Sequence, residues 1–218
     1  MAEIIMAHID YENIRWRFQD YVEYITVENI IKAFQALAKE LGELRQMFFY
    51  GDWTRRSGDC RKIEEHGYRA VTVLTKVRGG DRSDQTMAFN IDDQARENKE
   101  VTAFLIGAGD ADYKEVILRC RERGKRIYVL CFGRSASREL FTMTHGVYPL
   151  EVRLNVTEKH PKALPTLSNI DEPAKKEYII QKLDSLEKIL PYVVRLYFIK
   201  LLLPIKNMVK HLMRLRNF

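Results

Sequence analysis

Apolar residues along the chain fall into short runs that alternate with amphipathic segments. The runs are Ile4–Ile9, Arg45–Tyr50, Tyr68–Leu74, Val101–Ile106, Arg126–Phe132 and Val147–Leu150. Several are almost continuously hydrophobic, the texture of parallel strands buried on both faces. Between them, apolar positions recur at helical spacing. Ile30, Ile31, Phe34, Leu37, Ala38 and Leu41 form one stripe, opened by Thr26 as N-cap and stopped by Gly42. Further helices are expected over Gly58–His66, over Asp84–Glu97 with Ser83 as N-cap, over Tyr113–Arg123 and over Ser137–His145. An alternation of this kind over about 150 residues specifies an α/β fold, a parallel sheet with helices on both faces.

The texture changes after Glu151. Residues 155–173 contain Pro161, Pro165 and Pro173 among polar residues and read as a linker. Helices are expected over Ala174–Ile189 and Tyr192–Leu203, with Pro204 ending or kinking the second, and over Ile205–Arg216. Beyond Glu187 every charged residue is basic: Lys188, Arg195, Lys200, Lys206, Lys210, Arg214 and Arg216. The expected organisation is a domain over 1–154, a linker over 155–173 and a basic C-terminal α-helical extension over 174–218. The apolar faces of that extension favour packing on the domain or a homodimer through these helices. An RNA-holding surface and a membrane-surface helix are the other readings. No run of about 18 uncharged apolar residues occurs, which argues against a membrane span.

Composition narrows the class. With 218 residues, 46% hydrophobic and 30% charged, the chain is long enough for a globular core, and its net charge of +6 favours polyanionic partners. Its three cysteines, Cys60, Cys120 and Cys131, have no zinc or disulfide spacing, so a reducing cytoplasm is the expected location. Cys120 and Cys131 sit in apolar contexts that suit core packing. The segment Met1–His8 reads as a first strand, not a signal peptide.

The candidate chemistry centres on Phe104-Leu-Ile-Gly-Ala-Gly-Asp110-Ala-Asp112-Tyr113. Here an apolar strand ends in glycines and presents two carboxylates at the sheet edge where ligands of open α/β sheets bind. Gly107 and Gly109 are expected to allow a sharp turn. Asp10, with Asn13 three residues on, closes the first strand, and Asp84 opens a helix. Clustered carboxylates repel one another unless a cation lies among them, and hard oxygen donors with few histidines select Mg²⁺ or Mn²⁺. Such a site suits hydrolysis of a phosphodiester. Arg55, Arg56, Lys76, Arg78 and Arg82 are candidates to hold the substrate backbone, and Trp53 to stack on it. Trp16, Phe18 and Tyr21, with Arg15 and Arg17 between them, suit either base stacking or packing. His8 suits substrate contact or, more commonly, a satisfied core position. Taken singly, each of the four acids also suits a cap or turn.

These residues resemble a family. His8-Ile-Asp10-Tyr-Glu-Asn13 is similar to the first-strand motif of NYN domains, a branch of the PIN-like nucleases. Tyr50-Gly-Asp52-Trp53 resembles the second-strand signature of their bacterial LabA-like (DUF88) members. The segment from Lys76 to Asp84, and Gly109-Asp110-Ala-Asp112-Tyr113 followed by Glu122 to Val129, complete the series in order. The resemblance implies a PIN-like (Rossmann-like) fold and a Mg²⁺- or Mn²⁺-dependent endoribonuclease. Asp10, Asp84, Asp110 and Asp112 would be metal ligands or water-positioning acids, and Asn13 would orient the first carboxylate or touch the scissile phosphate. The family often places another acid six residues after the one matching Asp84; here that residue is Asn90, with Asp92 and Asp93 just beyond.

Three functions compete. The first is a metal-dependent endoribonuclease. The second is a catalytically weak or inactive RNA-binding regulatory module on the same fold, which the neutral Asn90 favours. The third is a small-molecule phosphohydrolase, against which stands the lack of an Asp-x-Asp pair at the first strand, where Asp10 is followed by Tyr11 and Glu12.

Overall fold

The computed structural model describes residues 2–73 and 83–159. The chain divides into two units, 1–161 and 162–218, and the described residues all belong to the first. The expected C-terminal helices, with any dimer surface on them, lie outside the described residues, as do Lys76, Arg78 and Arg82.

Six strands are found among the described residues: β1 (Glu3–Asp10), β2 (Gly42–Gly51), β3 (Arg69–Thr72), β4 (Ala103–Gly107), β5 (Arg126–Cys131) and β6 (Gly146–Pro149). They pair in parallel in the order β3-β2-β1-β4-β5-β6. The helices are α1 (Tyr11–Trp16), α2 (Val27–Leu41), α3 (Ser57–Glu65), α4 (Ser83–Glu97), α5 (Lys114–Glu122), α6 (Arg138–Met143) and α7 (Leu150–Leu154). The chain first builds outward from β1 through β2 to β3. It then crosses back to lay β4 on the other side of β1, so the strand order reverses between β1 and β4. A crevice opens at the carboxyl ends of strands at such a switch point.

The two-residue period of the strands sorts their side chains into two cores. Ile5, Ala7, Ile9, Met47, Phe49, Leu105 and Leu130 face Ile30, Ile31, Phe34 and Leu37 of α2. Phe48, Tyr50, Phe104, Ile106, Ile127 and Val129 face Met87 and Ile91 of α4 and Ile117 and Cys120 of α5. Cys120 and Cys131 are free and buried, and burial pushes both thiols up to about 12.

Thr26 caps α2 as expected, in a reciprocal capping box with Asn29. Gly42 ends the helix as expected, but not through a turn of its own. Its φ of 168° is extended, and β2 begins directly at this residue. What excludes a side chain is the neighbouring strand, since a Cβ there would lie 2.1 Å from the Glu3 carbonyl oxygen. The same correction applies after β4. Gly107 and Gly109 do not adopt positive φ; an added Cβ would lie 2.7 Å from Phe34 Cζ at the first and 2.5 Å from the Ser135 carbonyl oxygen at the second. Both glycines serve close approach.

Other departures are local. The aromatic segment after Asp10 forms α1 and a 3-10 turn, Arg17–Asp20, that its irregular apolar spacing did not disclose. Leu150 starts α7 instead of ending a strand. Residues 155–159 are not free linker. Val22 donates to the Thr157 carbonyl at 2.9 Å, and Lys159 donates its N–H to the Asp20 carbonyl at 2.8 Å.

His8 lies inside the second core, fully buried and stacked 5.0 Å from Phe48. Its Nδ1 is 2.9 Å from the Tyr50 hydroxyl and its Nε2 3.1 Å from Gln94 Oε1. Asn90 Nδ2 donates in turn to the Tyr50 hydroxyl at 3.1 Å. Desolvation lowers the imidazole pKa to about 3, against which the Gln94 bond works weakly. His8 is therefore a neutral core residue, not a substrate contact.

Two glycine substitutions should move stability in opposite directions. Gly107→Ala is expected to destabilise the domain by about 1–3 kcal/mol through overpacking against Phe34. Gly58→Ala in α3, where nothing lies within 4 Å of an added Cβ, is expected to stabilise it by up to about 1 kcal/mol. Urea denaturation of both variants measures the contrast. For His8, the folded pKa is depressed below the unfolded value of 6.5, so its stabilisation is complete above about pH 6.5 and is lost as pH falls toward about 3. Relative to His8→Asn, wild-type stability should fall by about 1.4 kcal/mol per pH unit across the middle of that window, measured by urea titrations at successive pH values.

Candidate active site

Asp10 ends β1 at the switch point and is 4% exposed. Its Oδ1 accepts the Asn13 N–H at 3.1 Å, which caps α1. Its Oδ2 accepts the Tyr113 hydroxyl at 2.8 Å and the Ser83 hydroxyl at 3.3 Å. Donors from the start of α1, the start of α4 and the turn after β4 thus meet on one carboxylate. Asn13 adds a second tie, its side-chain oxygen lying 3.5 Å from the Gly109 amide N–H, which donates to it.

Around Asp10 opens a cleft of ≈ 810 Å³. Asp10, Asp84, Asp110 and Asp112 all line it, so the four acids named from the sequence do come to one place. They are not alike. Asp10 is buried and hydrogen-bonded. Asp84 is half-buried and accepts the Gln85 N–H at 2.7 Å. Asp110 and Asp112 are exposed, Asp110 makes no capping bond, and no hydrogen bond or ion pair to either is found among the described residues. Repulsion by Asp110 raises the Asp112 pKa, with lesser contributions from desolvation and from Asp84.

The donor set suits a hard divalent cation: carboxylates, with no cysteine or histidine among the described residues that line the cleft. A formed centre is a stricter matter. Among the described residues no three acidic, histidine or cysteine side chains are grouped closely enough to hold one ion together. Asn90 is turned to Tyr50. Asp92 and Asp93 are engaged with Arg123 and Arg96, at 2.8 and 2.7 Å.

The expected substrate-binding residues separate. Arg55 is exposed, beside the end of β2. Arg56 makes a two-pronged ion pair with Glu12, one arm at 2.6 Å, so its charge is already matched. Glu12 also accepts the Asp52 N–H at 3.0 Å, which leaves it a structural acid rather than the second half of a nucleophilic pair. Trp53 is corrected outright. It is 5% exposed, its indole N–H donates to the Val71 carbonyl at 3.0 Å, and its ring lies 5.2 Å from Tyr11, so it is core and does not stack on a ligand. Phe18 and Tyr21 also pack inward, on Phe132. Sequence reasoning missed Tyr113 and Ser83 as partners of Asp10. Nothing in their spacing distinguishes a tyrosine bonded to a strand-end acid from an ordinary core tyrosine.

Comparison with known proteins agrees with this fold. The family model for the NYN domain matches residues 5–151, and the chain belongs to that family, within the PIN-like nuclease superfamily. A crystal structure of a Vibrio parahaemolyticus protein of unknown function shares the fold, with a TM-score of 0.58 and 15% sequence identity over 70% of this chain and 95% of that one. No curated protein matches the sequence. No helix among the described residues is long and apolar enough to cross a membrane.

The repulsion at the cleft has a testable sign. The Asp112 pKa is raised in the folded state, so the folded protein holds that proton more tightly and loses stability as pH rises through the carboxylate range. Asp112→Asn, measured without divalent metal, should raise the melting temperature at pH 7 by up to about 2 °C, a small gain because the groups are exposed and screened. The gain should shrink when both proteins are melted near pH 4.

Proposed function

We propose that this protein is a metal-dependent endoribonuclease that hydrolyses RNA phosphodiester bonds at the acidic cleft. The observation that carries the reading is the gathering of four carboxylates at the switch point of an NYN domain, two of them exposed and mutually repelling. A protein of net charge +6 with an acidic cleft presents a contradiction to a polyanion, and a bound cation resolves it. Mg²⁺ or Mn²⁺ would supply charge neutralisation and an acidified water. Asp110 and Asp112 would hold it with water completing its shell, Asp84 would add charge from the same cleft, and Asp10 is the buried acid beneath. Asn13 fixes the spacing of the β1 and β4 ends through Asp10 and Gly109, and so acts as a positioning residue. Arg55 is the remaining described cation of the expected set with no paired carboxylate, and it would meet the RNA backbone outside the cleft. The LabA-like assignment and a cytoplasmic location are finer parts of the same proposal.

A second reading is favoured by one observation, the lack of a formed three-acid group among the described residues. On that reading the domain binds RNA and cleaves slowly or not at all. Cleavage of a labelled single-stranded RNA distinguishes the two. The nuclease reading expects cleavage with Mg²⁺ or Mn²⁺, none with EDTA, and a loss of about 100-fold or more in Asp110→Asn. Asp92→Asn, an acid paired with Arg123 away from the cleft, should cleave as wild type. RNA binding without cleavage would move the binding module ahead.

A further inference from the structure

We propose that Trp16 and Arg17 form a subsite for one unpaired nucleotide, Trp16 stacking on its base and Arg17 with Ser135 holding its phosphate. The inference rests on the RNA reading above and deepens it by naming the form of RNA the cleft accepts.

The helical period of α1 divides its residues. Tyr11 and Ile14 are buried against the first core, while Glu12, Asn13 and Trp16 line the cleft. Trp16 is 68% exposed, a large indole left at the lip of an acidic cleft. A single exposed apolar side chain on a surface needs no explanation. This one differs in what surrounds and fixes it. Before it, the Tyr11 hydroxyl is tied to Asp59 at 2.9 Å. After it, Phe18 packs edge-on against Tyr11 and Phe132, and Tyr21 stacks on Phe132 at 4.7 Å. The segment is anchored on both sides, so the indole is presented on a fixed backbone and little ordering is needed when a base arrives.

Arg17 is the one cation among the described residues that line the cleft. Its Nε donates to Ser135 Oγ at 2.9 Å, and one terminal nitrogen lies 3.5 Å from Asp20. Those contacts fix the plane of the guanidinium, and Ser135 and Ser137 line the same cleft. A flat ring beside a fixed guanidinium and a hydroxyl suits a nucleotide, which offers a π-face and a phosphate a short distance apart. Inside a duplex each base face is covered by its stacked neighbours. Stacking on Trp16 therefore requires an unpaired nucleotide, as in a single strand, loop or bulge.

The test is binding of a single-stranded RNA of about ten nucleotides to the full chain, with Ca²⁺ in place of Mg²⁺ and the RNA checked for intactness afterwards. Trp16 fluorescence reports stacking directly, because the other tryptophan, Trp53, is buried. The single strand should quench the indole. Trp16→Ala should weaken binding about 5- to 150-fold, the equivalent of one base–aromatic stack, and Trp16→Phe by less than about 5-fold. Arg17→Gln should lower the salt slope of binding by about 0.7. The same strand annealed to its complement should bind more weakly and leave Trp16 unquenched. If Trp16→Ala binds RNA as wild type does and RNA leaves the fluorescence unchanged, the subsite is wrong while the RNA reading stands. Equal quenching by duplex overturns the requirement for an unpaired nucleotide. If no RNA binds either protein, the RNA reading fails and takes the subsite with it.

Discussion

The buried carboxylate of Asp10 is the interaction on which the rest of the site depends. An acid at 4% exposure is costly unless its oxygens are satisfied, and here the donors come from Asn13, Tyr113 and Ser83. Each donor belongs to a different part of the chain. Asn13 lies in the first turn of α1, Tyr113 closes the turn after β4, and Ser83 begins α4. One carboxylate thereby fixes three segment starts relative to the end of β1. The exposed acids Asp110 and Asp112 are placed by the same turn that Tyr113 anchors. The cleft is held from below by a satisfied acid and rimmed by acids that repel.

Close packing at the end of β4 performs the complementary task. Gly107 admits the Phe34 ring from α2, and Gly109 admits the Ser135 backbone from the turn after β5. These approaches draw the β4 and β5 loops together, with Ser137 donating its N–H to the Gly109 carbonyl at 2.8 Å. That is how Ser135 and Ser137 come to line one cleft with the acids, and how Arg17 finds Ser135.

Much of this was legible in the sequence, and the rest was hidden for identifiable reasons. The strands showed because burial on both faces leaves an unbroken apolar run, as at Phe104–Ile106. The switch-point acids showed because Asp10-x-x-Asn13 and Gly109-Asp-x-Asp112 occur together at strand ends, although each acid taken singly also suits a cap or turn. The glycines showed as important, but composition cannot distinguish a left-handed turn from a close approach, and at Gly42, Gly107 and Gly109 it is the second. Trp53 and Trp16 were the least readable pair. Each follows a strand end among basic residues, yet Trp53 is buried against Tyr11 and Trp16 stands in solvent. The phase of a six-residue helix and one hydrogen bond to Val71 decide between them, and neither leaves a trace in residue type. Arg56 was hidden for a related reason, because its partner Glu12 lies 44 residues away in sequence.

The neutral residue at position 90 can be understood from the interior rather than from the cleft. With His8 Nε2 donating to Gln94 Oε1, its Nδ1 must accept, so the Tyr50 hydroxyl donates to it. The tyrosine oxygen is then left needing a donor, and the Asn90 amide supplies one. An aspartate at 90 could only accept. It would compete with His8 for the single Tyr50 proton, leaving His8 Nδ1 without a donor or forcing the other tautomer, whose bare Nε2 would face the Gln94 oxygen. Either outcome leaves a buried polar group mismatched beside a histidine that burial keeps neutral. The amide at 90 and the histidine at 8 are in this sense one choice. Asn90 points into this polar chain, so its neutrality answers to the interior and leaves the carboxylates that line the cleft as they are.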